Sequence, residues 1–197
     1  MDSANLKLRR REELNGHRGM VVWFTGLSGA GKTTLARALA ERLERAACHC
    51  VVMDGDDLRR GLCSDLGFSP QERAENIRRA GEMARMFAEA GMIVLAALIS
   101  PYRADRARAR ALMPAGDFIE VHCHCPLEVC EQRDVKGLYR RARAGEISEF
   151  TGISSPYEAP EAPELRLDTA KLDLAACTER VLAVLHEHAV FSRGRRP

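Results

Sequence analysis

Aromatic residues are scarce in this 197-residue chain, where Phe, Trp and Tyr together make up 5% of the sequence. A surface that stacks successive nucleic-acid bases needs several such rings, so the composition argues against one. Neither sign of charge is in excess, because 30 Lys and Arg are balanced by 28 Asp and Glu, for a formal net charge of +2. Binding of nucleic acid through bulk electrostatics is therefore disfavoured as the main activity.

Long apolar runs are missing as well. The longest run, Met92 to Ile99, has the length of one buried strand and is too short to cross a bilayer. Residues 1–11 contain no apolar segment of the signal-peptide type. Seven cysteines cannot all pair within one chain, and without a secretory signal they are predicted to be reduced thiols. These absences together predict a cytoplasmic protein that does not act at a membrane.

The length fits one compact domain, predicted over residues 19–192, with a polar arm outside the core at 1–18 and a basic tail at 193–197. The predicted strands are 20–25, 50–53, 92–99, 118–125 and 165–167. The predicted helices are 33–47, 70–90, 103–112, 127–132, 135–144 and 174–189. Strands that alternate with helices predict an α/β fold, with a parallel sheet and helices on both of its faces.

The most informative motif is Gly26-Leu27-Ser28-Gly29-Ala30-Gly31-Lys32-Thr33, which matches G-x-x-x-x-G-K-[ST] between a predicted strand and a predicted helix. The glycines let backbone N–H groups point at phosphate oxygens, and the helix N-terminus adds partial positive charge. Lys32 is expected to reach the β- and γ-phosphates, and the Thr33 hydroxyl to ligate Mg²⁺. The motif therefore predicts nucleoside triphosphate binding.

The motif leaves the reaction open. None of the three asparagines precedes a lysine, so the guanine-recognition signature Asn-Lys-x-Asp is absent and a GTPase is disfavoured. A motor or transporter ATPase would normally need a longer chain. A small-molecule kinase fits this length best.

Two carboxylates, Asp54 and Asp56, follow the second predicted strand, at the edge where open parallel sheets bind ligands. One carboxylate can position or deprotonate an acceptor hydroxyl, and the other can orient metal-bound water. Because Asp-Gly is also a common turn dipeptide, a plain turn is the alternative interpretation.

Cationic side chains are expected near the same edge. Arg73 and Asn76 share one face near a helix start and, with Arg59, would suit an anionic acceptor, although a solvated helix face has the same pattern. Residues 133–141 are rich in cations and are predicted to form a mobile lid over the triphosphate, with an exposed basic helix as the alternative. In His122-Cys123-His124-Cys125, strand alternation would place the two residue types on opposite faces, which disfavours a zinc site.

Several blocks of the sequence together resemble the adenylyl-sulfate kinase (APS kinase) family between about His17 and Leu185. The blocks are 23–34, 54–56, 65–69, 73–79, 99–103, 136–139, 149–153 and 156–160. The resemblance implies a P-loop kinase fold with a lid. It also implies that MgATP phosphorylates the 3′-hydroxyl of adenosine 5′-phosphosulfate (APS) to give PAPS and ADP, as a step of sulfate assimilation.

The resemblance further implies roles for individual residues. The ATP contacts would be Gly26, Leu27, Ser28, Gly29, Ala30, Gly31, Lys32, Thr33, Thr34, Arg133 and Thr169. The APS contacts would be Asp54, Asp56, Arg59, Phe68, Arg73, Asn76, Ile99, Ser100, Lys136 and Phe150. Among these, Asp56 would be the base, Phe68 and Phe150 would sandwich the adenine, and Lys136 and Arg133 would belong to the lid.

Ser100 matches a serine proposed in this family as a phosphorylated intermediate, although direct transfer between bound substrates needs none. A homodimer and an association with ATP sulfurylase are also implied. The rival hypotheses are another small-molecule kinase, acting on a nucleoside monophosphate, gluconate or shikimate, and a catalytically silent nucleotide-binding regulator.

Overall fold

A single sheet of five parallel strands forms the centre of the molecule. The structure, a computed structural model, describes residues 10–191. The strands are β1 (Met20–Thr25), β2 (Cys50–Asp54), β3 (Ile93–Ala97), β4 (Phe118–His124) and β5 (Leu165–Asp168). Their order in the sheet is β2-β3-β1-β4-β5, and each neighbouring pair is parallel. The predicted parallel sheet is confirmed.

Seven helices with defined bounds connect and cover the strands in the described part of the chain. They are α1 (Lys32–Arg45), α2 (Gly55–Arg60), α3 (Pro70–Glu89), α4 (Arg103–Ala111), α5 (Leu127–Arg133), α6 (Leu138–Arg143) and α7 (Leu174–Glu187). Residues 10–15 are helical too. Helix α2 was not predicted from the sequence, α6 begins three residues later than predicted, and β3 is shorter than the predicted strand 92–99.

Both faces of the sheet are covered, because β1 contributes side chains to two separate apolar clusters. Met20, Val22 and Phe24 pack in one cluster with residues of α1 and α7. Val21 and Trp23 pack in the other cluster with residues of α3 and α4. All five of these side chains are fully buried. The continuous apolar run therefore has the burial expected of a central parallel strand, as predicted.

The start of α3 has the predicted capping box, which fixes the direction of the helix at the carboxyl edge of the sheet. The Glu72 N–H donates to Ser69 Oγ at 3.3 Å, and the Ser69 N–H donates to Glu72 Oε2 at 3.1 Å. Pro70 occupies the first helical position, where its missing N–H costs nothing. The first two turns of α3 contain Arg73 and Asn76, both of which are buried.

The prediction that the whole arm lies outside the core is wrong for its last residues. His17 is 2% exposed, and its Nε2 accepts the His49 N–H at 2.9 Å. Asn15 Nδ2 donates to the Gly91 carbonyl at 2.9 Å, and His17 pairs with Phe191 in an isolated antiparallel bridge. The predicted basic tail at 193–197 and residues 1–9 of the arm lie outside the described residues.

The end of β4 has the predicted alternation. Cys123 and Cys125 are buried in the cluster that also contains α1, while the rings of His122 and His124 contact each other with centroids 5.6 Å apart. Six cysteines, at positions 50, 63, 123, 125, 130 and 177, are free thiols, and all of these except Cys50 are buried. Within residues 10–191, no helix is long and apolar enough to span a membrane.

Candidate active site

The phosphate loop, residues 26–31, leaves the carboxyl end of the central strand β1. In the order β2-β3-β1-β4-β5, the connection from β1 to β2 runs toward one edge of the sheet and the connection from β3 to β4 runs toward the other, so the loop lies at a topological switch point. Gly29 has a φ of +75°, and a Cβ there would lie 3.1 Å from the Cys130 carbonyl oxygen. The backbone conformation and the close approach of α5 both require glycine at this position.

Lys32 is folded back onto its own loop. Its Nζ donates to the carbonyls of Gly26 at 2.9 Å and Leu27 at 2.7 Å. Burial lowers the pKa of this ammonium to about 8. A triphosphate would supply the negative charge that this buried cation lacks, which is the role predicted for Lys32.

Asp54 links the end of β2 to the start of α1 and to α2. Thr33 Oγ1 donates to Asp54 Oδ2 at 2.5 Å, and the Asp56 N–H donates to Asp54 Oδ1 at 2.8 Å. Burial alone would raise the pKa of Asp54, but these two hydrogen bonds, together with the charges of Lys136 and Arg37, outweigh it and the pKa lies below its ordinary value. The plain-turn alternative is wrong, because Asp54 is the N-cap of the short helix α2.

The donor set at this point is a hydroxyl and a carboxylate. Such hard oxygen ligands suit Mg²⁺, which prefers one or two protein oxygens together with phosphate and water. Thr33 and Asp54 therefore fit the ion predicted from the motif.

Asp56 is the exposed carboxylate of the pair. Its Oδ2 forms an ion pair with Lys136 Nζ, which joins the carboxyl edge of the sheet to the segment predicted as a lid. Both side chains remain more than half exposed. The structure thus brings together the predicted base and the predicted lid cation, although 80 residues separate them in the sequence.

The lid segment, residues 133–141, contains a turn at 134–137 and the start of the short helix α6, and not one basic helix from 135. The Asp134 carboxylate accepts the N–H groups of Tyr139 at 2.9 Å and Arg140 at 3.1 Å, and Gly137 has a φ of +66°. These interactions cap α6 and delay its start. The lid segment is anchored by Arg133, which donates to the carbonyls of Gly29 at 3.2 Å and Thr169 at 2.7 Å.

Two arginines lie close to the ring of Phe68. The Arg59 guanidinium lies 4.2 Å from the centroid of the Phe68 ring, and that of Arg73 lies 5.4 Å from it. Arg73 also donates to the carbonyls of Phe68 at 2.7 Å and Glu149 at 2.5 Å. Arg73 therefore ties the segment that carries Phe68 to the segment that carries Phe150.

The two phenylalanines differ in exposure. Phe68 is 52% exposed, whereas Phe150 is 9% exposed and packs edge-on against Tyr139 at a centroid distance of 5.0 Å. Asn76, 6% exposed, has an Oδ1 with no hydrogen-bond partner among residues 10–191. A buried acceptor of this kind is costly unless a ligand or water satisfies it, so Asn76 fits a binding role. The adenine sandwich itself stays a prediction.

Ser100 is a buried residue in the segment that follows β3. It is 2% exposed, and its Oγ accepts the indole N–H of Trp23 at 3.1 Å. The hydroxyl of Ser100 is thus buried in this structure, and its phosphorylation stays a prediction. The neighbouring Ile99 is half-buried, and its carbonyl accepts the Thr25 hydroxyl at 2.8 Å.

Backbone strain occurs near the candidate site. Ser100 has a φ of +41° and Glu149, which holds Arg73 through its carbonyl, has a φ of +53°. Non-glycine residues with such angles are often found at functional sites, where surrounding contacts enforce them.

Three residues near the site were not assigned roles from the sequence. Arg106 is 3% exposed and donates to Glu120 Oε1 at 2.6 Å and to the carbonyls of Ser100 and Glu158. Tyr157 contacts the Thr25 hydroxyl at 3.0 Å, and Tyr139 Oη donates to the Ser28 carbonyl at 2.9 Å. No local pattern predicts the contacts of Arg106 with Glu158, of Tyr157 with Thr25 and of Tyr139 with Ser28, because they join residues 52, 132 and 111 positions apart.

Comparison with known proteins agrees with this geometry. The family model described as adenylylsulphate kinase matches residues 18–168. An adenylyl-sulfate kinase of Acaryochloris marina is 57% identical over 182 residues, which cover 92% of this chain and 89% of that relative.

Solved structures agree as well. The APS kinase of Mycobacterium tuberculosis in complex with AMPPNP and APS superposes with a TM-score of 0.83 at 48% identity, over 86% of this chain and 99% of that chain. A hexameric APS kinase from Thiobacillus denitrificans superposes with a TM-score of 0.67 at 37% identity, over 94% of this chain and 32% of that one. The fold, the phosphate loop and these relatives lead to one conclusion: the chain is a kinase and belongs to the adenylylsulphate kinase family.

Proposed function

We propose that this chain transfers the γ-phosphoryl group of ATP to the 3′-hydroxyl of APS, giving PAPS and ADP. The observation that carries the proposal is the arrangement around the phosphate loop. An exposed carboxylate, Asp56, lies beside that loop, and a cluster of arginine and phenylalanine side chains suited to an anionic nucleotide lies next to it. Membership of the family supports this choice of acceptor.

On the donor side, the loop N–H groups and Lys32 would hold the triphosphate. Thr33 would bind Mg²⁺ directly, with Asp54 hydrogen-bonded to its hydroxyl at 2.5 Å. When bound, the ion supplies neutralisation of the charge that develops on the phosphates. Lys32 then has to leave the carbonyls of Gly26 and Leu27 and turn toward the phosphates, which keep it protonated.

On the acceptor side, Arg59 and Arg73 would lie near the phosphosulfate and ribose, and Phe68 and Phe150 near the adenine. The unpartnered Oδ1 of Asn76 would accept a hydrogen bond from a ribose hydroxyl. Asp56 would accept the proton of the 3′-hydroxyl as the new O–P bond forms and the bond to the ADP oxygen breaks. Lys136, freed from Asp56, would then be available to the phosphates.

The chain is also proposed to act as a homodimer in the cytoplasm, in sulfate assimilation. The resemblance to the family is the support for these statements. An association with ATP sulfurylase is the accompanying prediction for a partner.

An acceptor panel tests the proposed function. The protein is incubated with MgATP and, in separate reactions, with APS, AMP, gluconate or shikimate, and ADP release is followed. We expect rapid ADP release with APS and only background release with the other three. Absence of ADP with APS, or faster release with another acceptor, would refute the assignment.

A further inference from the structure

Three successive carbonyls of the phosphate loop are held from outside by three side chains. The Tyr139 hydroxyl donates to Ser28 O at 2.9 Å, and Arg133 donates to Gly29 O at 3.2 Å. The Thr169 hydroxyl donates to Ala30 O at 3.0 Å. These side chains come from α6, from α5 and from the turn after β5, so the contacts are not a product of local sequence.

Planarity of the peptide bond gives these contacts a directional consequence. In a trans peptide the C=O of one residue and the N–H of the next point in opposite directions. A Ser28 carbonyl held outward by Tyr139 therefore turns the Gly29 N–H inward. The same reasoning applies to the Ala30 carbonyl, held by Thr169, and the Gly31 N–H. Neither N–H has an acceptor within residues 10–191, whereas the Ala30 N–H donates to Leu27 O at 3.2 Å.

We propose that Tyr139 is a positioning residue for the triphosphate: its hydroxyl fixes the Ser28–Gly29 peptide so that the Gly29 N–H faces the phosphates. Thr169 acts in the same way on the Ala30–Gly31 peptide. The inference rests on the proposed function in one respect, that the loop binds ATP. It assigns Tyr139 no contact with substrate.

The surroundings of Tyr139 suit such a role. The side chain is 3% exposed, and its ring packs edge-on against Phe150. Its backbone N–H donates to Asp134 Oδ1 at 2.9 Å, which anchors the residue at the start of α6. The ring and backbone contacts thus hold the hydroxyl in place. A Tyr139→Phe substitution keeps both contacts and removes the hydroxyl, with its hydrogen bond to the loop carbonyl and its contact with the Cys130 thiol.

The test measures binding of AMPPNP with Mg²⁺ to the full chain by titration calorimetry. A single neutral hydrogen bond contributes about 1 kcal/mol, so we expect the Tyr139→Phe variant to bind AMPPNP about fivefold more weakly. APS binding, measured in the same way, should stay unchanged because the ring still packs on Phe150. In turnover, KM for ATP should rise while KM for APS and kcat are retained.

Tyr157→Phe is the matched control. It removes a tyrosine hydroxyl whose 3.0 Å contact is to the Thr25 side chain and not to a loop carbonyl. Its AMPPNP affinity should stay within twofold of the wild-type value. Unchanged AMPPNP affinity in Tyr139→Phe would overturn the proposal, and so would an equal loss in both variants.

If thermal melting shows that Tyr139→Phe does not fold, Thr169→Val tests the same geometry at the next peptide. The variant should lose AMPPNP affinity to a similar degree, and a wild-type affinity would overturn the proposal. The measurement of AMPPNP binding does not require transfer to APS, so its result is independent of the proposed activity. A wild-type chain that binds AMPPNP but transfers nothing to APS would refute the activity and leave the role of Tyr139 standing.

Discussion

Asp56 is the residue at which the chemistry can be tested most directly, since it lies beside the phosphate loop and remains exposed. In Asp56→Asn the side chain keeps its size but can no longer accept a proton. We expect kcat to fall by about 10²- to 10⁴-fold, the usual contribution of a positioned base. AMPPNP affinity should change little, because Asp56 does not contact the loop through its side chain.

Asp57→Asn is the matched control for Asp56. Asp57 is the next residue of α2, is exposed, and forms an ion pair with Arg60 that leads away from the loop. Its kcat should equal that of the wild type. A kcat within threefold of wild type for Asp56→Asn would remove Asp56 from the mechanism.

The buried ammonium of Lys32 predicts a pH dependence of ATP binding. Its pKa is about 8 in the free protein, and bound phosphates would raise it, so binding above pH 8 requires uptake of one proton. We expect KM for ATP to be flat from pH 6.5 to 7.5 and to rise about fivefold between pH 8 and pH 9. KM for APS serves as the internal control. A KM for ATP that is constant up to pH 9 would contradict the low pKa.

At the scale of single elements, the start of α3 connects stability with substrate binding. Ser69→Ala removes the capping hydroxyl and should lower the free energy of unfolding by about 1 kcal/mol. The same change loosens the turn that holds Phe68 and Arg73, so KM for APS should rise while KM for ATP is unchanged. Urea unfolding and steady-state kinetics measure the two effects.

Asp173→Ala controls for stability alone. Asp173 caps α7 by accepting the Ala176 N–H at 2.7 Å, and this cap is not part of the candidate site. Its loss should cost a similar free energy of unfolding and leave both KM values unchanged. If Asp173→Ala also raised KM for APS, the effect of Ser69→Ala would reflect general destabilisation.

The long helix α3 could be predicted from the sequence, whereas the short helices α2 and α6 could not be placed correctly. Helix α3 was predictable because twenty residues of pattern and a capping box agree. Helix α2 has only six residues, too few for an apolar period, and its N-cap Asp54 starts a dipeptide that also occurs in turns. The start of α6 depends on the Asp134 carboxylate, which caps backbone groups five and six residues further on. The bounds of short helices that depend on one capping side chain therefore cannot be predicted from residue patterns.

At the scale of the whole molecule, Arg106 and Glu120 form a buried ion pair that joins α4 to β4. Arg106 also holds the carbonyls of Ser100 and Glu158, so it connects the end of β3 to the segment after the lid. In Arg106→Met, Glu120 stays buried and keeps an ion pair with Arg110, which at 3.6 Å is farther from it than Arg106 was. We expect a loss of about 3 kcal/mol in the free energy of unfolding.

The double variant Arg106→Met, Glu120→Leu separates the charge from the packing. It removes the uncompensated carboxylate, so it should recover much of the stability lost in Arg106→Met. Urea unfolding of the single and double variants measures the difference. A double variant as unstable as the single one would show that the contacts to the two carbonyls, and not the buried charge, dominate.

Long-range contacts set the limit of what the sequence could predict for the site. The motif identified the phosphate loop because its chemistry is contiguous over eight residues. The contact between Tyr139 and Ser28 spans 111 residues, and the one between Arg106 and Glu158 spans 52. Spacing gives no information about such pairs, because the order of strands in the sheet decides which loops meet. That order was not predictable from alternation alone.

The cysteine thiols can be used to report local unfolding of the protein. Six of them, at positions 50, 63, 123, 125, 130 and 177, are free, and each of these except the half-buried Cys50 is shielded from solvent. Cys123 and Cys130 lie close enough to Lys32 to affect its pKa. A water-soluble maleimide can therefore modify them only when the protein opens. The rate of modification at these two positions, with and without AMPPNP, would report how much bound nucleotide slows opening around the loop.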